Sequence, residues 1–179
     1  MQGGEKANKG EISMAKFNSK ILAGAAIAAA LFSQSAYAAD VSGDASARII
    51  QPLSITKDAD MNFGEILPSD AAGSVTLSTA GSVTASGGAT IFDGSNAQAA
   101  SFDVRGEGNE AYSLTLPTTI TLTDDLDNTM TVSNFQSSAT EVLNLNGREQ
   151  FDVGASLSVG ANQSAGLYAG SFTVSVDYP

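Results

Sequence analysis

Ser171-Phe172-Thr173-Val174-Ser175-Val176-Asp177-Tyr178 places an apolar side chain at every second position and a polar one between. Successive side chains of an extended strand point to opposite faces, so this stretch carries Phe172, Val174, Val176 and Tyr178 on one face. A half-buried sheet wants that pattern, and a helix does not. The same period of two recurs upstream in Val75-Thr76-Leu77, Phe102-Asp103-Val104, Tyr112-Ser113-Leu114-Thr115-Leu116 and Ile120-Thr121-Leu122. It returns in Met130-Thr131-Val132, Leu143-Asn144-Leu145, Phe151-Asp152-Val153 and Leu157-Ser158-Val159. Gly87-Gly88, Asp93-Gly94-Ser95-Asn96, Gly106-Glu107-Gly108-Asn109 and Asn146-Gly147 separate these segments, and Gly and Asn tolerate the positive φ that tight turns need. The Ser/Thr/Gly-rich residues 78–88 read as strand and hairpin, because Val83 and Ile91 punctuate them. Short strands at this spacing predict an all-β fold, an antiparallel β-sandwich of two packed sheets over residues 53–179.

Ahead of that domain, residues 39–52 form an extension or a first strand. From Val41 the odd positions are Val41, Gly43, Ala45, Ala47, Ile49 and Gln51, with Ser42, Asp44, Ser46, Arg48 and Ile50 between them. Pro52 has no N–H to give to a ladder and divides this run from Leu53-Ser54-Ile55-Thr56. Such a segment pairs either within its own sheet or, by β-strand addition, with a neighbour's; Val41, Ala45, Ala47 and Ile49 are then the donor face.

Residues 1–38 are read as a leader. Met14-Ala15-Lys16-Phe17-Asn18-Ser19-Lys20 carries two positive charges, residues 21–32 are apolar, and Ala36-Tyr37-Ala38 follows. That order predicts a secretory signal peptide cleaved after Ala38, with Met14 as the start. Twelve apolar residues fall short of the ~20 that span a bilayer, so no stable membrane insertion is expected. The expected location is outside the cytoplasm, from the periplasm to the cell surface.

The 179 residues include no Cys, no His and no Trp, which removes disulfides, thiolate nucleophiles, imidazole bases and Cys/His metal sites. After Ala38 only Arg48, Lys57, Arg105 and Arg148 are positive, against 17 carboxylates, a net charge of −13. Nucleic acid, held by counterion release, is excluded as a partner by that balance.

Four clusters carry a family resemblance: Leu53-Ser54-Ile55 with Met61-Asn62-Phe63-Gly64; Phe102-Asp103-Val104-Arg105-Gly106; Gly154-Ala155-Ser156-Leu157; and Gly166-Leu167-Tyr168-Ala169-Gly170 running into the last strand. In order and spacing they resemble the bacterial secreted family called domain of unknown function 4402. More distantly, the Asn-Phe-Gly element and the Gly-x-Tyr-x-Gly strand resemble archaic chaperone–usher pilins and spore coat protein U-like proteins. The resemblance implies an immunoglobulin-like fold lacking one strand, filled first by a periplasmic chaperone and then by the extension of the next subunit. The strand bearing Phe172, Val174, Val176 and Tyr178 then flanks the acceptor groove. The chain departs from many such pilins in having no cysteine pair and an alanine-rich extension.

Other chemistry is thinly supported. Asp124-Asp125-Leu126-Asp127-Asn128 is the densest acidic cluster; it reads as a solvated hairpin turn or as a calcium loop, without the glycine and distal glutamate of an EF-hand. Asp103, Glu107, Glu110, Glu141 and Glu149 show no spacing that sets up a glycosidase pair. No catalytic site, metal or cofactor is expected. The expectation is a secreted structural protein, a pilin-like surface or fimbrial subunit with itself and a chaperone and usher as partners. The competing one is a monomeric adhesive domain that binds carbohydrate or protein, with Tyr112, Tyr168 and Tyr178 offering stacking surface.

Overall fold

Phe151, Val153, Ala155, Leu157 and Val159 are all buried, each two residues after the last, and they form the inward face of the strand around which the protein is built. The computed structural model describes residues 39–179, so the leader lies outside the described residues. The described residues form eleven strands: β1 (Ser54–Ala59), β2 (Glu65–Leu67), β3 (Gly73–Leu77), β4 (Val83–Gly87), β5 (Thr90–Asp93), β6 (Ala100–Arg105), β7 (Ser113–Thr115), β8 (Thr119–Thr123), β9 (Thr129–Ser137), β10 (Arg148–Val159) and β11 (Ser175–Asp177). All pairings are antiparallel, and the described residues contain no helix. The all-β expectation holds.

The main sheet has seven strands in the order β1-β6-β10-β3-β4, with β9 branching from β10 and β8 from β9. Register shows how one strand serves three neighbours. Val153 pairs with both Ala100 of β6 and Ser137 of β9, and Leu157 with both Val75 of β3 and Val132 of β9. One edge of β10 is therefore shared in succession by β6 and β3, and β9 takes the other. The change-over falls at Gly154, where the ladder to β9 is bulged. A Cβ there would press on the Leu77 carbonyl oxygen and lie 2.7 Å from the Ser78 carbonyl carbon, so only glycine fits without a shift.

Two hydrophobic clusters follow from that division. Val75, Leu77, Met130, Val132, Leu157 and Val159 centre the first; Ala100, Phe102, Val104, Leu143, Phe151 and Val153 centre the second, with Met61 and Phe135 packed against both. Two short ribbons complete the clusters: Ile66 of β2 and Ile91 of β5 on the first, Leu114 of β7 and Val176 of β11 on the second.

Three expectations are corrected. Residues 144–147 form a turn instead of a strand: Asn144 Oδ1 accepts from the Asn146 and Arg148 amides, and Gly147 takes φ 68°, leaving Leu143 buried and Leu145 82% exposed. The segments at 151–153 and 157–159 are one continuous strand. Residues 171–174 alternate half-buried and exposed as expected but pair with no strand among the described residues, because the β7–β11 register, which matches Ser175 to Thr115, would bring Val174 opposite Leu116 and then Thr173 opposite Pro117. Proline has no N–H for the ladder, and pairing stops there.

Candidate functional site

A groove lies over the first cluster. Ile120 and Leu122 of β8, Met130 and Val132 of β9, and Leu157 and Val159 of β10 form the floor of this groove of about 660 Å³. Alternation on each strand turns these side chains to one face, so the floor is three strands wide and wholly apolar. One wall is residues 61–68. Asn62 exchanges two backbone hydrogen bonds with Gln98, each 2.9 Å, and β2 pairs with β5, until Pro68 ends the strand. Among the described residues β2 has no second strand partner.

The other wall is residues 163–170 with Phe172. Thr123 and Ala169 exchange backbone bonds of 2.9 and 3.0 Å, which tie this segment to β8. Tyr168 donates to the Ser164 carbonyl and accepts from Gln163 Nε2, both at 2.8 Å, a local corner that keeps the wall upright. Leu67 and Leu167 line the groove and are 50% and 86% exposed, so an apolar rim faces solvent.

Of the residues singled out in the last strand, Phe172 lines the groove. Val174 and Val176 turn to the second cluster. Tyr178 does something the sequence did not suggest. Its hydroxyl donates to the Gln51 carbonyl at 2.8 Å and accepts from the Glu107 amide at 2.7 Å, joining the end of the chain to the root of the extension. Gly106 makes room, since a Cβ there would stand 2.5 Å from that hydroxyl.

Residues 39–53 belong to no strand. Val41, Ala45, Ala47 and Ile49 are exposed, Ile49 to 95%. Ser46–Pro179 is one compact unit, and residues 39–45 fall outside it. Within that unit, Arg48 donates to Glu107 at 2.8 Å and to Glu110 at 3.1 Å, and the Gln51 amide donates to the other Glu107 oxygen at 3.0 Å. The Gln51 amide first, then Arg48, holds the Glu107 carboxyl below its usual range, and the two glutamates push the Arg48 guanidinium up.

Three further carboxylates are also committed. Asp103, with 3% of its side chain exposed, pairs with Arg105 at 3.0 Å and with Arg148. Glu149 accepts from Tyr112 at 2.7 Å and from the Thr140 amide and hydroxyl at 2.6 and 2.8 Å. Burial alone raises the Glu149 pKa, but these hydrogen bonds outweigh it, and the result is lowered. Tyr112 is pushed well up by burial and then by Glu149, and at 2% exposure it offers no stacking face. In the acidic turn, Asp124 accepts from the Leu126 and Asn128 amides and from Asn128 Nδ2 at 2.8–2.9 Å, which lowers its pKa and spends its oxygens on the turn. No group of three or more metal-ligating side chains occurs among the described residues.

A family model described as Domain of unknown function (DUF4402) matches residues 53–178. The chain belongs to the DUF4402 family. No curated protein and no solved structure matches it. The DUF4402 span opens at Leu53, one residue before β1, and closes on Tyr178, so the whole groove lies inside it and Arg48 outside.

Proposed function

We propose that this DUF4402 protein is a secreted structural subunit, pilin-like in design, assembled by β-strand addition. In this reading the fold is an immunoglobulin-like sandwich short of one strand. The groove between residues 61–68 and 163–172 is where that strand goes. The observation that carries it is the combination of an apolar floor with walls that each leave main chain without a strand partner among the described residues: the edge of β2 away from β5 on one side and residues 170–172 on the other. An inserted strand gains main-chain hydrogen bonds from such edges and buries alternate side chains on the floor. Val41, Ala45, Ala47 and Ile49 supply alternate side chains, and each fully buried Val or Ile contributes about 1.5–3 kcal/mol. Before assembly a periplasmic chaperone fills the groove, and an usher is the further partner. Export rests on residues 14–38.

The test is the behaviour of the mature chain from residue 39. Strand exchange yields oligomers that persist in detergent and fall apart only on heating, and a peptide of residues 40–50 caps them. A monodisperse monomer at every concentration, indifferent to the peptide, contradicts the proposal and favours a monomeric adhesive domain.

A further inference from the structure

The root of the extension and the groove lie at different ends of β10. Arg148 opens β10 opposite Arg105, the residue before Gly106 and Glu107. Leu157 and Val159, on the groove floor, lie nine and eleven residues further along the same strand. At ~3.3 Å per residue that is about 30–36 Å of extended chain. The second hydrophobic cluster fills the stretch between, with Leu53 and Leu143 beside Gly106 at its near end. Arg48, held by Glu107 and Glu110, is fixed at the far end from the groove, and its neighbours Ala47 and Ile49 are fixed with it, exposed.

Resting on the strand-acceptor reading, we infer that the loop bearing Glu107 and Glu110, with Tyr178 over Gln51, is a stem clamp that bars the extension from its own groove and commits it to the groove of a second copy. Alternation suits both tasks. Arg48 turns to its own subunit, while Ala47 and Ile49 face away. Four contacts converge on the four residues 48–51: two ion pairs from Arg48, the Gln51 amide on Glu107, and the Tyr178 hydroxyl on the Gln51 carbonyl. Holding the stem ahead of binding lowers the ordering cost of donation. Donor and acceptor are different surfaces of one chain, so the contact is heterologous and copies join head to tail.

The chain has no native cysteine, so engineered thiols report cleanly. Ala47→Cys on the stem and Leu67→Cys on the groove rim are oxidised in one chain at low concentration. A peptide of residues 40–50 is tested separately for shielding the Leu67→Cys thiol from alkylation. With the clamp intact, cross-links between chains are expected to predominate and internal loops to be rare. Arg48→Ala lies on an exposed stem and leaves the circular-dichroism spectrum unchanged; it should lower the ratio of intermolecular to internal cross-links about two- to fivefold. Internal loops that predominate with the clamp intact, or a ratio that Arg48→Ala leaves unmoved, overturn the clamp while peptide shielding keeps the acceptor reading alive. No shielding and no cross-link of either kind overturns both.

Discussion

Ile49→Ala separates assembly from folding. Ile49 is 95% exposed in the free subunit, so its loss removes no packing from the core. A surface change of this kind stays within about 0.5 kcal/mol of neutral. For a chain of this size that keeps the melting temperature within about 2 °C. In the proposed assembly the same side chain lies on the apolar floor of a neighbour's groove. Truncation to alanine deletes the equivalent of three methylene groups, about 2.4 kcal/mol at roughly 0.8 kcal/mol each. That corresponds to about a 50-fold weaker association. The assay is a dilution series of the mature protein by sedimentation velocity, run beside a thermal melt of the monomer fraction. An unchanged association midpoint would refute the assignment of Ile49 to the donor face. A drop of several degrees in the melt would show instead that Ile49 packs within its own subunit.

Asp103→Ala leaves Arg105 and Arg148 facing each other without their shared carboxylate; both remain about half exposed, so a loss of about 2 kcal/mol is expected in urea unfolding. Gly154→Ala forces a Cβ onto the Leu77 carbonyl where β10 changes neighbours, and should cost about 1–3 kcal/mol, read by the same titration. The Glu107 carboxyl is held below its ordinary 4.5, so the stem contact is complete above that pH and is lost as pH falls through the lower folded value. The Gln51 amide proton shift should therefore titrate with a midpoint under 4.5, and a midpoint at or above it contradicts the bond.

Alternation made the strands legible because it is local. Phe172, Val174 and Val176 are half-buried as their spacing requires, yet only residues 175–177 pair, since the partner strand is cut short by Pro117, some sixty residues away. Leu143-Asn144-Leu145 has the same apolar–polar–apolar pattern and runs into a turn. The Asn144 side chain competes for the backbone there, and that competition outweighs periodicity. Local patterning did not mark the groove; only the family resemblance pointed to one, with Phe172 at its flank. Its floor joins Ile120, Met130 and Leu157 from three strands, and its defining feature is a missing neighbour, which no local pattern encodes. The stem clamp escaped for a related reason. Arg48 and Glu107 meet across 59 residues, and in so acidic a chain nothing in the sequence marks Glu107 over any other carboxylate. Pro68 and Pro117, each stopping a ladder beside an apolar stretch, were the available hints.

A density map of the assembled mature protein, from electron cryo-microscopy or a crystal, tests the central claim most directly. The account predicts an added strand between residues 61–68 and 170–172 of one copy, continuous with the Arg48 stem of the next, with Ile49 over the Met130 and Leu157 side. An empty groove with copies joined elsewhere, or a groove filled by its own extension, would contradict it.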